Sequence, residues 1–218
     1  MKHKIILFDL DGTLTDPGDG ITNSVAYALR KLGQTPPPRS ELEAFIGPPL
    51  IESFMSISGL DRESGELAVK YYREYFSQRG LFENRLYPHV PEMLQKLREA
   101  GAVLSLATSK PTIYAAKILE HFDIAKYFDA LAGSELDGSR VKKADVIRYA
   151  LELLDVHETD SVIMVGDRKH DTVGAADCGV YSLGVTYGYG SRDELEKAGA
   201  DSIVDSVEAL EKFLLTDC

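Results

Sequence analysis

The chain has 218 residues, 44% of them hydrophobic and 27% charged, with a formal net charge of -11. That length can bury one large core or a core plus a smaller insert. An acidic chain without a basic run argues against a phosphate-backbone partner such as nucleic acid, so the charge reads as solubility. No stretch approaches the roughly 20 apolar residues of a membrane span. The two cysteines, Cys178 and Cys218, form no CxxC, and a chain this long needs no disulfide staple. With no signal-peptide pattern at its start, the protein is predicted to be cytoplasmic.

In chain order, "KIILFDLDGTLTD" comes first. Ile5, Ile6, Leu7 and Phe8 read as part of a strand over 4–8 buried on both faces, ending abruptly at Asp9 and Asp11. Residues 17–82 then hold only helical patterns. "ITNSVAYALRKLG" stops at Gly33, and "SELEAFIG" offers a capping box from Ser40 to Glu43. "PPLIESFMSISGL" and "ELAVKYYREYFSQRG" complete an all-helical insert, joined to the rest through 14–20 and 80–88. Further strands are predicted at 102–107, 128–132, 161–166 and 180–186, with a weaker one at 202–204. Between them lie amphipathic helices. "VPEMLQKLREAG" ends at Gly101, "KADVIRYALELLD" repeats apolar residues at helical spacing, and "VEALEKFLL" does the same near the end. Alternating strands and helices predict an α/β fold, a parallel sheet covered on both faces, with 1–16 and 83–218 as the core and 17–82 as a second domain.

Ligands of open parallel sheets bind beyond the carboxyl ends of the strands. There the sequence places Asp9 and Asp11 with Gly12 and Thr13, then Thr108, Ser109 and Lys110 past 102–107. It adds Asp167 and Asp171 in "GDRKHD", and Lys142 and Lys143 at a helix start. Clustered acids repel one another, which favours a hard cation. Mg²⁺ takes oxygen ligands and shares its shell with phosphate oxygens. A hydroxyl pair and an ammonium suit the remaining phosphate oxygens. The set is suited to Mg²⁺ and a phosphoryl group.

"DLDGT", "ATS", a lysine before "ADVI" and "GDRKHD" resemble the four ordered motifs of the haloacid dehalogenase superfamily over nearly the whole chain. "DGSR", "IGPPL" and "VTYGYGS" are similar to its phosphoglycolate phosphatase-like and 5′-nucleotidase branch. The resemblance implies a Rossmann-like core with a helical cap inserted after strand 1. It implies attack on phosphorus by Asp9, giving an aspartyl phosphate, and general acid and base service by Asp11 with a raised pKa. It further implies Mg²⁺ held by Asp9, the Asp11 backbone carbonyl, Asp167 and Asp171, the last directly or through water. Thr108 and Ser109 would bind phosphate. Either Lys142 or Lys143 can offset the charge, and "K-A-D-V-I" favours Lys143. Gly47 and the following prolines are a candidate recognition segment whose helix start meets the leaving group, or are simply a break between helices.

The expected activity is hydrolysis of a small phosphate monoester, phosphoglycolate or a nucleoside 5′-monophosphate, by a monomer or homodimer with no nucleic-acid or membrane partner. Asp11 disfavours dehalogenase and phosphonate-cleaving relatives. A phosphosugar mutase of the same superfamily and a phospho-accepting receiver domain are the alternatives. Simpler readings go to other features. Asp171 can be only a helix N-terminal acid, "YGYG" a flexible loop with substrate contact as the alternative, and Cys178 a small buried residue on a helix. His3, His89, His121, His157 and His170 read as surface groups or supports of the site.

Overall fold

A computed structural model describes residues 3–216, so Cys218 lies outside the described residues. The chain forms two compact units, Met1–Asp16 with Leu86–Cys218, and Pro17–Arg85.

The main sheet of the first unit has six strands: β1 (Ile5–Phe8), β2 (Val103–Pro111), β3 (Ala130–Ser134), β4 (Val162–Gly166), β5 (Tyr181–Val185) and β6 (Ser202–Val204). They form one parallel sheet in the order β3-β2-β1-β4-β5-β6. The chain builds outward from β1 on one side through β2 and β3, then on the other through β4, β5 and β6. That reversal opens a crevice at the carboxyl ends of β1 and β4. The central strands are apolar throughout because both faces are covered: Ile6, Leu7, Phe8, Val162, Ile163 and Val165 have no exposed surface. On one face the helix Lys143–Leu153 packs Val146, Ile147 and Ala150 against Leu7, Ala107 and Met164. Truncating a side chain buried like Ile147 costs about 2–5 kcal/mol.

Three local expectations change in this unit. The strand expected at 102–107 continues through Pro111, with a register shift between Ala107 and Pro111. Thr108, Ser109 and Lys110 therefore lie in the irregular end of a strand rather than past it. The strand expected at 128–132 starts at Ala130, because Ala125–Tyr127 is a short 3₁₀ turn and the Asp129 carboxylate accepts the Leu104 N–H at 2.9 Å. Cys178 is half-buried and follows the helix Lys169–Ala176 instead of sitting on it.

From Gly18 to Gly80 the elements of the second unit are helical: Gly18–Lys31, Arg39–Leu42 with the 3₁₀ turn Glu43–Phe45, Leu50–Ser56, and Arg62–Tyr75 running into a π turn at Phe76–Gly80. Its core holds Val25, Leu29, Phe45, Phe54, Ala68 and Phe76, with the Phe45 and Phe54 rings edge to face at 5.0 Å. Asp61 caps the long helix by accepting the Ser64 N–H at 2.8 Å. The expected Ser40 cap is absent. Pro38 takes the N-cap position and Ser40 lies within the first turn, since a proline fixed at φ −55° already supplies the extended entry.

Candidate active site

Parallel register assembles the site. Phe8 pairs with Val165, and the Asp9 N–H donates to the Val165 carbonyl at 2.9 Å, so Asp9 and Asp167 emerge side by side from β1 and β4. Asp171 joins them from the first turn of Lys169–Ala176. One carboxylate oxygen from each of the three lies within 4.8 Å of the others, and all three residues are buried. Lys143, the first residue of its helix, extends into this group. Its Nζ is 2.8 Å from Asp9 Oδ1 and 2.7 Å from Asp171 Oδ1, and donates to the Ala107 carbonyl at 3.0 Å. Lys142 is exposed at the N-cap position, so Lys143 is the lysine in the cluster.

Three buried carboxylates against one ammonium leave an excess of negative charge, and burial first, then this crowding, sets the proton affinities. Burial works against the charge of Lys143, but Asp171 and Asp9 outweigh it and raise its pKa. Burial pushes Asp171 up to about 6, against the pull of Lys143. Burial, then the charges of Asp171 and Asp9, hold Asp167 well above the carboxylate range. Asp167 Oδ2 accepts the Tyr189 N–H at 2.7 Å, whereas Oδ1 has no hydrogen-bond partner among the described residues. Crowded oxygens with one lone pair set unmet fit a hard, oxygen-preferring cation.

Asp11 leaves this group and turns to another ammonium. Its Oδ2 is 2.7 Å from Lys110 Nζ, and its Oδ1, like the hydroxyl of Thr13, has no hydrogen-bond partner among the described residues. Burial raises the Asp11 pKa against the pull of Lys110. The side chain is thus outside the three-carboxylate cluster and open on one oxygen. Thr108 is buried, and its hydroxyl accepts the Lys110 N–H at 3.3 Å. The Ser109 hydroxyl donates to the Val141 carbonyl at 3.4 Å. Gly47, at φ 104°, belongs to the helical unit.

Two features take roles here that the linear sequence did not give them. Lys110 stood beside the hydroxyl pair, but nothing in a linear pattern pairs it with Asp11, ninety-nine positions away by number (110 − 11). The "YGYG" loop is packed against the site, not a loose segment. Tyr187 donates its hydroxyl to the Thr13 carbonyl at 2.9 Å, and Tyr189 donates its hydroxyl to the Asp16 carboxylate. The alternating glycines were the available signal. Asp171 is a helix N-terminal acid whose Oδ2 accepts the Arg168 N–H at 3.0 Å, and its Oδ1 also meets Lys143. Of the histidines, His3 is not at the surface: it is buried, with its ring 4.8 Å from that of Tyr181. His89 is half-buried and pairs with Glu211 at 2.8 Å.

The sheet order, the switch at β1 and the acidic crevice define a hydrolase of the haloacid dehalogenase-like type. The model of that family matches residues 6–185, and the chain belongs to it. Within the family it stands among phosphatases. It is 47% identical to a 5′-nucleotidase of Pseudomonas aeruginosa over 89% of this chain and 88% of that one. It superposes on the crystal structure of a predicted phosphatase from Clostridium acetobutylicum with a TM-score of 0.94, at 48% identity and 99% coverage of both chains. The tyrosine-protein kinase PtkA of Mycobacterium tuberculosis is 42% identical over 89% of this chain and 66% of its own length. More distant relatives carry the name phosphoglycolate phosphatase.

Proposed function

We propose that the protein hydrolyses small phosphate monoesters through a phosphorylated Asp9. The observation that carries this is the Lys143 ammonium bridging Asp9 and Asp171 inside a buried group of three carboxylates. Nothing in a folding argument calls for such an arrangement, because unpaired buried acids destabilise a core.

Asp9, Asp167 and Asp171, with the Asp11 backbone carbonyl, would hold Mg²⁺, which would neutralise phosphate charge and orient the phosphoryl group. An Asp9 carboxylate oxygen attacks phosphorus while the bond to the leaving oxygen breaks. Asp11 gives its proton to that oxygen. Asp11 then takes a proton from water as the water attacks the aspartyl phosphate, the Asp9–phosphorus bond breaks, and inorganic phosphate leaves. Lys143 stays protonated throughout and offsets the charge on Asp9 and the phosphoryl oxygens. Thr108 and Ser109 bind the phosphate.

The helical unit is read as the cap, with Gly47 and its neighbours contacting the leaving half. The substrate is a nucleoside 5′-monophosphate or phosphoglycolate, and the 47% identity to a 5′-nucleotidase puts the nucleotide first. The partner is a small molecule, not nucleic acid or a membrane, and the protein acts in the cytoplasm as a monomer or homodimer. No described helix is long and apolar enough to cross a membrane.

The test is phosphate release from a panel of phosphorylated metabolites, with Mg²⁺ and with chelator. Continuous, Mg²⁺-dependent release with a nucleoside 5′-monophosphate or phosphoglycolate at the head of the ranking supports the reading. Stoichiometric self-labelling without turnover, or transfer to a tyrosine in place of water, overturns it.

A further inference from the structure

Beyond the residues of the four motifs, one loop of the same unit closes on Asp167. The backbone of Gly188 lies so near that a Cβ there would stand 2.2 Å from the Gly12 carbonyl oxygen and 2.5 Å from Asp167 Oδ2. A Cβ on Gly190 would stand 1.8 Å from the Asp167 carbonyl oxygen. From the other side, a Cβ on Gly12 would meet Asp167 Oδ2 at 2.1 Å, and Gly12 itself has φ 84°. Two backbones therefore sandwich one carboxylate, and the three glycines are the only residue type with room to do so. Between them the Tyr189 N–H donates to Asp167 Oδ2 at 2.7 Å.

The loop is anchored to the same segment that carries the nucleophile. The Tyr187 hydroxyl donates to the Thr13 carbonyl at 2.9 Å, its ring packs edge-on against Tyr87 at 5.0 Å, and the Tyr189 hydroxyl donates to Asp16. Both tyrosines thereby tie residues 187–190 to residues 13–16, and the glycines between them press on Asp167.

We propose that Tyr187–Gly190 is a positioning clasp that orients Asp167 for a divalent cation. The loop occupies Oδ2 through the Tyr189 N–H and leaves Oδ1, which has no hydrogen-bond partner among the described residues, for the cation. The clasp rests on the Mg²⁺-dependent reading above. It assigns positioning roles to Tyr187, Gly188, Tyr189 and Gly190, which act on the site through Asp167. A hydrogen-bonded carboxylate with a fixed rotamer loses less freedom when it takes a metal, which is why outer partners of metal ligands tune affinity by about 10- to 100-fold.

Calorimetric titration of Mg²⁺ into the full chain, without substrate, measures this directly. Gly188→Ala is expected to weaken Mg²⁺ binding about 10- to 100-fold, since its methyl must displace Asp167 or Gly12. Tyr187→Phe adds no bulk and removes one hydrogen bond, so it reads the clasp even if the alanine variant does not fold. It is expected to weaken binding by about threefold or more, with circular dichroism of the Mg²⁺-free protein unchanged. Wild-type affinity in folded Gly188→Ala, or in Tyr187→Phe, overturns the clasp while leaving the Mg²⁺ reading intact. Wild-type protein that takes up no Mg²⁺ overturns the cation reading and the clasp together.

Discussion

Lys143 of the core and Arg62 of the helical unit both form carboxylate pairs, at 2.7 Å with Asp171 and 3.1 Å with Glu66. The Lys143 side chain is 4% exposed and that of Arg62 is 78% exposed. The geometry is alike and the surroundings are not. Water screens the helical unit's pair and offers each partner an alternative, so its loss is nearly neutral. In the core, each charge has given up water and depends on the others, so removing one strands the rest. The comparison separates charges that make a surface soluble from charges that make a site, although the same residue types serve both.

The largest break is expected from Asp9→Asn. The amide cannot attack phosphorus, so turnover should fall about 10³-fold or more while the fold persists, because a crowded negative charge has been removed. Steady-state phosphate release by pure protein checks this, and residual activity of more than about one part in a hundred would assign the nucleophile elsewhere.

Lys143→Met probes the same cluster through stability. It leaves Asp9 and Asp171 buried without their ammonium, and urea unfolding without Mg²⁺ should show a loss of about 3–5 kcal/mol. Lys143→Arg should not restore activity. A single ammonium meets Asp9 Oδ1, Asp171 Oδ1 and the Ala107 carbonyl at 2.7–3.0 Å, and a planar fork does not reproduce that point charge.

The helical unit should respond in specificity instead. Gly47 at φ 104° makes any side chain there a test of backbone strain as well as recognition, so Pro48→Ala is the cleaner probe. If this segment reads the leaving half, the ratio of specificity constants between a nucleotide and phosphoglycolate should move about tenfold. A uniform change across substrates would make it a helix break only.

An intermediate case lies on the core's periphery. Glu211 is held below its usual pKa: burial opposes ionisation, but hydrogen bonds from Lys96 and His89 outweigh it. A depressed carboxylate contributes stability that is present above its ordinary value of 4.5 and is lost as pH falls through the folded value. The stability difference between wild type and Glu211→Gln should therefore shrink as pH drops below that value. A difference that is flat with pH would break the assignment. The smallest effect belongs to Arg62→Ala, whose loss of the Glu66 pair should change unfolding free energy by no more than about 0.5 kcal/mol. A larger loss would mean that exposure does not separate the two kinds of pair.

Much of this was legible from the linear chain. Apolar runs flanked by helical periodicity give the parallel sheet, because burial on both faces leaves no polar alternation. The acids that follow those runs give the cluster of Asp9, Asp167 and Asp171, since parallel strands must deliver their carboxyl ends to one edge. The helical character of the insert was equally plain from its spacing. Local signals failed where another local constraint or a distant group intervened. Ser40 had the capping pattern, but Pro38 had already set the helix entry. Thr108 to Lys110 resembled a loop because an irregular strand end lacks a simple alternation.

Only the tertiary structure decided between Lys142 and Lys143. Two adjacent lysines at a helix start point in different directions, and only packing shows that one is buried against Asp9 and Asp171. It alone joined Lys110 to Asp11, and it converted "YGYG" from punctuation into a loop pressed on Asp167. The physical reason is common to all three. Periodicity records which face of an element is apolar, a property of neighbours in the chain. Ion pairs and close backbone approach depend on the distance between segments that the chain itself keeps far apart.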